Sequence, residues 1–156
     1  SVCVWGSDLW AELPAFNLND RITRMAIAND DLVQIAADID ETLSALDDAP
    51  SGADVRYWSS QIARQMLRAG ASLTLLEHPV YTRDIDHCAR IFAGTYPQQA
   101  TAIQQTLAIA QDPPEQAGAA LNVFDGLGGW LIDEADRWLD AHNPERELAF
   151  AYPDAD

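Results

Sequence analysis

Apolar residues recur along this chain in steps of three and four, and no segment sustains the strict alternation that a half-buried strand needs. From Asp20 to Asp47 the stripe is Ile22, Met25, Leu32, Ala36, Ile39, Leu43 and Leu46, with Asn29 holding one of its places. This predicts an amphipathic helix, bent near Asn29–Asp31 where a second N-cap can form. Asp48-Ala49-Pro50-Ser51-Gly52 ends it as a turn. A second helix is expected from about Ala53 to Leu76, with Val55, Trp58, Ile62, Met66, Ala69, Leu73 and Leu76 on its inner face, stopped by Glu77-His78-Pro79. Thr82 is expected to cap a short third helix carrying Ile85, Cys88, Ala89 and Phe92, with Asp84 in its first turn and Gly94 as a left-handed stop. A fourth helix opens at Pro97 and turns Ala100, Ile103, Leu107 and Ala110 inward. After Asp112-Pro113-Pro114 a fifth carries Ala117, Leu121, Phe124, Leu131, Ala135 and Trp138 and ends near Ala141. Gly126, Gly128 and Gly129 interrupt that last pattern, and each interior glycine costs about 0.5–1 kcal/mol relative to alanine. Three together predict a kink or the close approach of another helix.

The fold class that follows is all-α: an antiparallel bundle of about five helices over residues 19–142, joined by short connections. Residues 1–18 read as an irregular entry arm, apolar at Trp5, Leu9, Trp10, Leu13 and Phe16 but broken by Gly6 and Pro14. Residues 143–156 read as a polar tail in which Leu148, Phe150 and Tyr152 stand out. A chain of 156 residues is one ordinary domain, and 48% hydrophobic residues suit a globular core rather than disorder. With no bilayer-length apolar run and no basic-then-apolar leader, a cytoplasmic protein is expected. Cys3 and Cys88 form no CxxC pair and read as two free thiols in a reducing compartment.

Charge changes the picture more than composition does. There are 25 acids against 9 bases, a formal charge of −16, and every base is arginine. Such a surface repels phosphate backbones, which argues against nucleic-acid and anionic-membrane partners. It fits a solvated face that keeps the chain soluble. It also leaves open an acidic interaction or inhibitor protein that mimics nucleic acid.

Asp38/Asp40 and Asp84/Asp86 are Asp-x-Asp pairs of the kind that hold magnesium on a strand, but both fall in helical pattern. Two residues apart on a helix they point roughly 200° from each other, so no metal site is expected. His78, His87 and His142 belong to no HExxH or Cys/His cluster. No Gly-x-Ser-x-Gly, P-loop or Gly-x-Gly-x-x-Gly is present, and no catalytic residue is assigned. Arg137 and His142 match the short Arg-x4-His signature of HEPN-type RNases, in which pairs from two subunits meet; on that alternative the chain is an RNase toxin or an inactive relative, a homodimer, partnered by a small nucleotidyltransferase. Arg64, Arg68, Arg83 and Arg90 are more suggestive. Arg64 and Arg68 share a helix face and Arg83 opens the next helix beside Tyr81 and Thr82, so they can either gather against phosphate or pair with the surplus acids.

From about Tyr57 to Asp140 the chain resembles the helical C-terminal, HEPN-like domain of bacterial nucleotidyltransferase-family proteins, of the aminoglycoside adenylyltransferase kind. The features that carry the resemblance are Arg64-Gln65-Met66-Leu67-Arg68, then Pro79-Val80-Tyr81-Thr82-Arg83-Asp84, Gly94-Thr95-Tyr96-Pro97, the Asp112-Pro113-Pro114 break, and Gly129-Trp130-Leu131-Ile132-Asp133-Glu134-Ala135. Val4-Trp5-Gly6-Ser7-Asp8-Leu9 looks like the segment that joins such a domain to its catalytic partner. The resemblance implies a substrate-binding bundle that closes over a nucleotidyltransferase catalytic domain, on the same or a separate chain. Magnesium and a nucleoside triphosphate would be the cofactors of the joint site, with the magnesium held on the other domain. Tyr81 and Arg83 are then expected at the substrate and nucleotide pocket, with Arg64 and Arg68 beside them.

Overall fold

The computed structural model describes residues 16–17, 20–48 and 51–148. Its element order is β1 (Phe16–Asn17), α1 (Arg21–Leu32), α2 (Ile35–Asp47), α3 (Gly52–Ser72), β2 (Val80–Tyr81), α4 (Ile85–Thr95), a 3-10 turn over Pro97–Gln99, α5 (Ala100–Gln111) and α6 (Ala117–His142). The class is all-α. The two strands are two residues each and pair antiparallel, Phe16 opposite Tyr81 and Asn17 opposite Val80. The rest of the expected entry arm, the apolar tail positions Phe150 and Tyr152, and Cys3 lie outside the described residues. Among the described residues no helix is long and apolar enough to cross a membrane.

The first predicted helix is broken in two, at Val33–Gln34 rather than at Asn29–Asp31. Gln34 takes the cap position of α2 without a side-chain bond, while Asn29 is wholly buried inside α1. Asn29 does not cap because its amide is committed elsewhere: Nδ2 donates to the Glu147 carbonyl at 3.3 Å, and Oδ1 accepts from Asn143 Nδ2 at 2.7 Å. The polar interruption of the first stripe is therefore matched by a buried polar partner from the far end of the chain.

Helix α3 is the central rod and packs against each of the other five helices. Ser51 caps it, its hydroxyl accepting from the Asp54 N–H at 3.2 Å. Ile62, Met66, Leu67 and Ala69 are fully buried along it. Trp58, expected in that stripe, is instead 39% exposed, edge-on to Tyr57 with ring centroids 5.2 Å apart. Beyond Ser72 the coil tightens rather than continuing to Leu76, with Thr74 N–H donating to Ala71 O and Leu75 N–H to Ser72 O. Gly70 is required here: a Cβ would come within 2.0 Å of the Phe92 ring, which fills the space between α3 and α4. Phe92 in turn stacks on Trp130 at 5.8 Å, and Tyr96 closes the trio edge-on at 4.8 Å from Trp130.

Helix α4 starts two residues later than expected. Asp84 occupies the cap position, and Thr82 acts just outside it by accepting from the Asp84 N–H at 3.1 Å. Gly94 is not a left-handed stop; it lies within the helix, which runs on to Thr95. Helix α6 passes through Gly126, Gly128 and Gly129 without interruption. Only Gly128 meets a neighbour, the Ile39 methyl at 3.3 Å from a would-be Cβ, so close approach by α2 and not a kink explains that glycine.

Candidate functional site

The break between α1 and α2 exposes a polar mouth on an otherwise apolar junction. Gln61, Arg64, Gln65 and Arg68 stand at i, i+3, i+4 and i+7 on α3, which places them on one face. Facing them across the break are Asp30 and Asp31 at the end of α1 and Asp38 in the first turn of α2. Arg83, between β2 and α4, closes the end. Together these residues and Ile35 line a cleft of about 240 Å³. The structure thus brings Arg64, Arg68 and Arg83 into one cleft, and Tyr81 adjoins Arg68 in the narrow crevice beside it.

Each arginine is held differently. Arg83 Nη1 reaches both carboxylate oxygens of Asp31, at 3.2 and 3.5 Å, and Asp31 Oδ2 accepts from the Ser72 hydroxyl at 2.6 Å. Burial works against the Arg83 charge, but Asp31, followed by Tyr81, more than offsets it and holds the guanidinium above its ordinary range. Arg64 donates to Ser60 Oγ and to the Ala110 carbonyl, both at 3.4 Å, which ties it toward α5. Arg68 is half-buried and, among the described residues, donates only to the Arg83 carbonyl, at 3.4 Å, and finds no partner for its Nε. No carboxylate of the described residues pairs with Arg64 or Arg68. Burial, then the neighbouring Arg83 guanidinium, lowers the Arg68 pKa, yet a guanidinium keeps its proton in a protein. Arg68 is therefore a charged, partly dehydrated group that feels Asp31 only at a distance and has an unpartnered Nε.

On the opposite wall, burial and then a neighbouring acid raise two carboxyls: Asp31 acts on Asp30, and Glu41 on Asp38. The Tyr81 phenol is raised by burial, opposed by Arg83. The Cys88 thiol lies beneath this cluster, donates to the Thr82 carbonyl at 3.4 Å, and is pushed up to about 12 by burial. It is an inert core thiol rather than a nucleophile.

Neither Asp-x-Asp pair converges. Asp38 turns into the cleft and Asp40 to solvent on α2, while Asp84 stands at the N-cap position of α4 without a side-chain capping bond and Asp86 accepts from Gln111 Nε2 at 3.1 Å. Arg137 and His142 do not meet within the chain. Arg137 is exposed and paired with Glu134, whereas His142 lies against the Trp138 ring with centroids 4.7 Å apart. Burial, then Arg21, keeps the His142 pKa below its usual value. Arg90 stands apart from the other arginines, on a different groove of α4.

Several cleft residues have no counterpart in the sequence reading. Gln61 and Gln65 could have been found, since they share the helical face of Arg64 and Arg68. Asp31 and Ser72 could not, because 52 residues separate Asp31 from Arg83 and 41 separate it from Ser72. Compared with protein-family models, with curated proteins and with solved structures, the chain matches none of them.

Proposed function

We propose that this chain is a helical substrate-binding domain that receives a phosphate-bearing ligand between the α1–α2 break and α3, as in a nucleotidyltransferase-like protein. The observation that carries this reading is Arg68. It is a half-buried guanidinium without a carboxylate, flanked by Arg64 and Arg83 in a cleft large enough to admit a phosphoryl group. A phosphate oxygen would satisfy the stranded Nε and offset the repulsion that Arg83 and Arg64 exert on Arg68.

In the proposed reaction a nucleoside monophosphate passes from a nucleoside triphosphate to an acceptor hydroxyl. A bond forms between the acceptor oxygen and the α-phosphorus, the bond from that phosphorus to the bridging oxygen breaks, and pyrophosphate leaves. This chain's own residues bind and orient. Arg64 and Arg68 take phosphate charge, Arg83 is fixed by Asp31 and Tyr81 at the cleft's end, and Asp30 and Asp38 accept hydrogen bonds from hydroxyl or ammonium donors on the acceptor. Among the described residues no three imidazole, thiol or carboxylate groups are arranged to hold a metal. The magnesium that such a reaction uses, and the base that takes the hydroxyl proton, are assigned to a partner catalytic domain.

The test is titration of the chain with ATP in magnesium-free buffer, followed by amide chemical shifts. Arg68→Gln is expected to weaken binding at least tenfold, with the exposed Arg56→Gln as a charge-matched control that leaves it unchanged. Equal weakening by both variants would reduce the effect to net charge and remove the cleft from consideration.

A further inference from the structure

Among the described residues Arg56, Arg83, Arg137 and Arg146 form ion pairs, while Arg24, Arg64 and Arg68 donate to backbone or hydroxyl oxygens. The side chains of His78, His87 and Arg90 make no hydrogen bond or ion pair with any described residue. All three line a single groove of about 340 Å³, together with Val80, Ile91, Gly94 and Thr95, and no carboxylate of the described residues lines it. His87, Arg90, Ile91, Gly94 and Thr95 stand at i, i+3, i+4, i+7 and i+8 of α4, so one helix face forms the floor while His78 and Val80 form the wall. The adjacent acid on α4, Asp86, is engaged by Gln111 of α5.

We propose that this groove is a binding site for a small organic phosphate monoester, separate from the Arg64–Arg68–Arg83 cleft and independent of it. The guanidinium of Arg90 presents a planar fork that matches a phosphoryl group, and each imidazole offers a ring N–H whichever protonation state it holds. The Thr95 hydroxyl does not take part, because it donates to the Ile91 carbonyl at 3.2 Å. The remaining lining favours an organic body over a bare ion: Val80 and Ile91 are apolar, and nothing lies within 4 Å of where a Gly94 Cβ would stand, so the floor is open. Strand β2 divides the two sites, since Val80 borders this groove and also the crevice beside Arg68.

The experiment is titration of the chain with phenyl phosphate, followed by amide chemical shifts, with inorganic phosphate and phenol as separate arms. Phenyl phosphate is expected to move the amides of residues 87–95 and to bind at least tenfold more tightly than either. Arg90→Gln is expected to weaken it at least tenfold. Gly94→Leu, whose side chain enters open space and improves helix propensity, is expected to abolish binding while the far-ultraviolet dichroism stays unchanged. Arg68→Gln is expected to leave it intact. Equal affinity for inorganic phosphate overturns the assignment to a monoester, and binding that survives both Arg90→Gln and Gly94→Leu, or that follows Arg68, overturns the site.

Discussion

Asn143 Nδ2 donates to Asn29 Oδ1 at 2.7 Å, joining two buried side chains 114 residues apart. The same Asn143 turns the chain back on itself beyond α6. Its Oδ1 accepts from the Glu147 N–H at 3.1 Å, its Nδ2 also donates to the Glu147 carbonyl, and Arg146 between them takes φ 55°. One amide therefore both terminates the last helix and fastens it to the first.

Removing Asn143 leaves the buried Asn29 Oδ1 without its donor, and an unsatisfied buried polar atom costs about 1–3 kcal/mol; removing Asn29 breaks its bonds to Asn143 and to the Glu147 carbonyl. Asn143→Ala and Asn29→Ala are each expected to lower stability by about 2 kcal/mol. The double variant is expected to cost clearly less than the sum, because each single change already loses the shared Asn143–Asn29 bond. Urea denaturation of the four proteins checks this, and strict additivity would mean the two amides are not energetically coupled.

A second prediction concerns Cys88, held near 12 by burial against the opposing pull of Arg68 and Arg83. The unfolded thiol loses its proton near the ordinary value of 9, while the folded one keeps it. Its folded pKa is raised, so its contribution to stability is whole below about pH 9 and declines as pH climbs toward 12. The expected decline is about 1.4 kcal/mol per pH unit in that window. Chemical denaturation of wild type and Cys88→Ala at pH 8, 9, 10 and 11 should show the difference between them shifting against wild type as pH rises. A constant difference would mean the native thiol ionises normally. Native protein at pH 8 is likewise expected to leave Cys88 unreacted toward an aromatic disulfide reagent until it unfolds.

These sites also show where pattern reading works and where it stops. The rods were legible because the core needs apolar groups every third or fourth residue, and Ile39, Ile62, Met66, Ile103, Phe124 and Leu131 are all buried as their spacing demands. Termini were less legible, since they depend on what the end residues meet. Gly94 stays helical although glycine often ends helices, and Asn29 is buried although asparagine often caps. Trp58 has core spacing but is only part-covered, edge-on to Tyr57 and bordering a surface groove with Glu41, Thr42 and Ala45 of α2. In the cleft, Arg64 and Arg68 could be paired from a single helix face. That Arg83 would join them follows from how the segment after α3 folds back, and its carboxylate partner Asp31 comes from a helix with no sequence relation to it. The groove of His78, His87 and Arg90 matches no motif at all, because two of its three bases sit on α4 and the third on the segment before β2.

The Asp31–Arg83 contact supplies the sharpest test of the cleft, because stability and binding are expected to move in opposite directions. Asp31 is an internal anion: its carboxylate, steadied by the Ser72 hydroxyl, occupies the guanidinium that a phosphate would otherwise reach. Asp31→Asn keeps the shape and the capacity to accept from Ser72 but removes the charge. A buried pair that loses one member costs about 3–5 kcal/mol, and partial exposure of both side chains here reduces that to about 2 kcal/mol. The melting temperature is therefore expected to fall by about 4–8 °C for a domain of this size. At the same time Arg83 is released and the cleft loses one negative charge, so ATP in magnesium-free buffer is expected to bind about tenfold more tightly. Ser72→Ala, which frees only one oxygen of Asp31, is expected to shift both quantities the same way by less. If Asp31→Asn weakens ATP binding in step with its loss of stability, Asp31 is a structural prop and not a competitor for the phosphate position. If neither quantity moves, the ion pair has no energetic role.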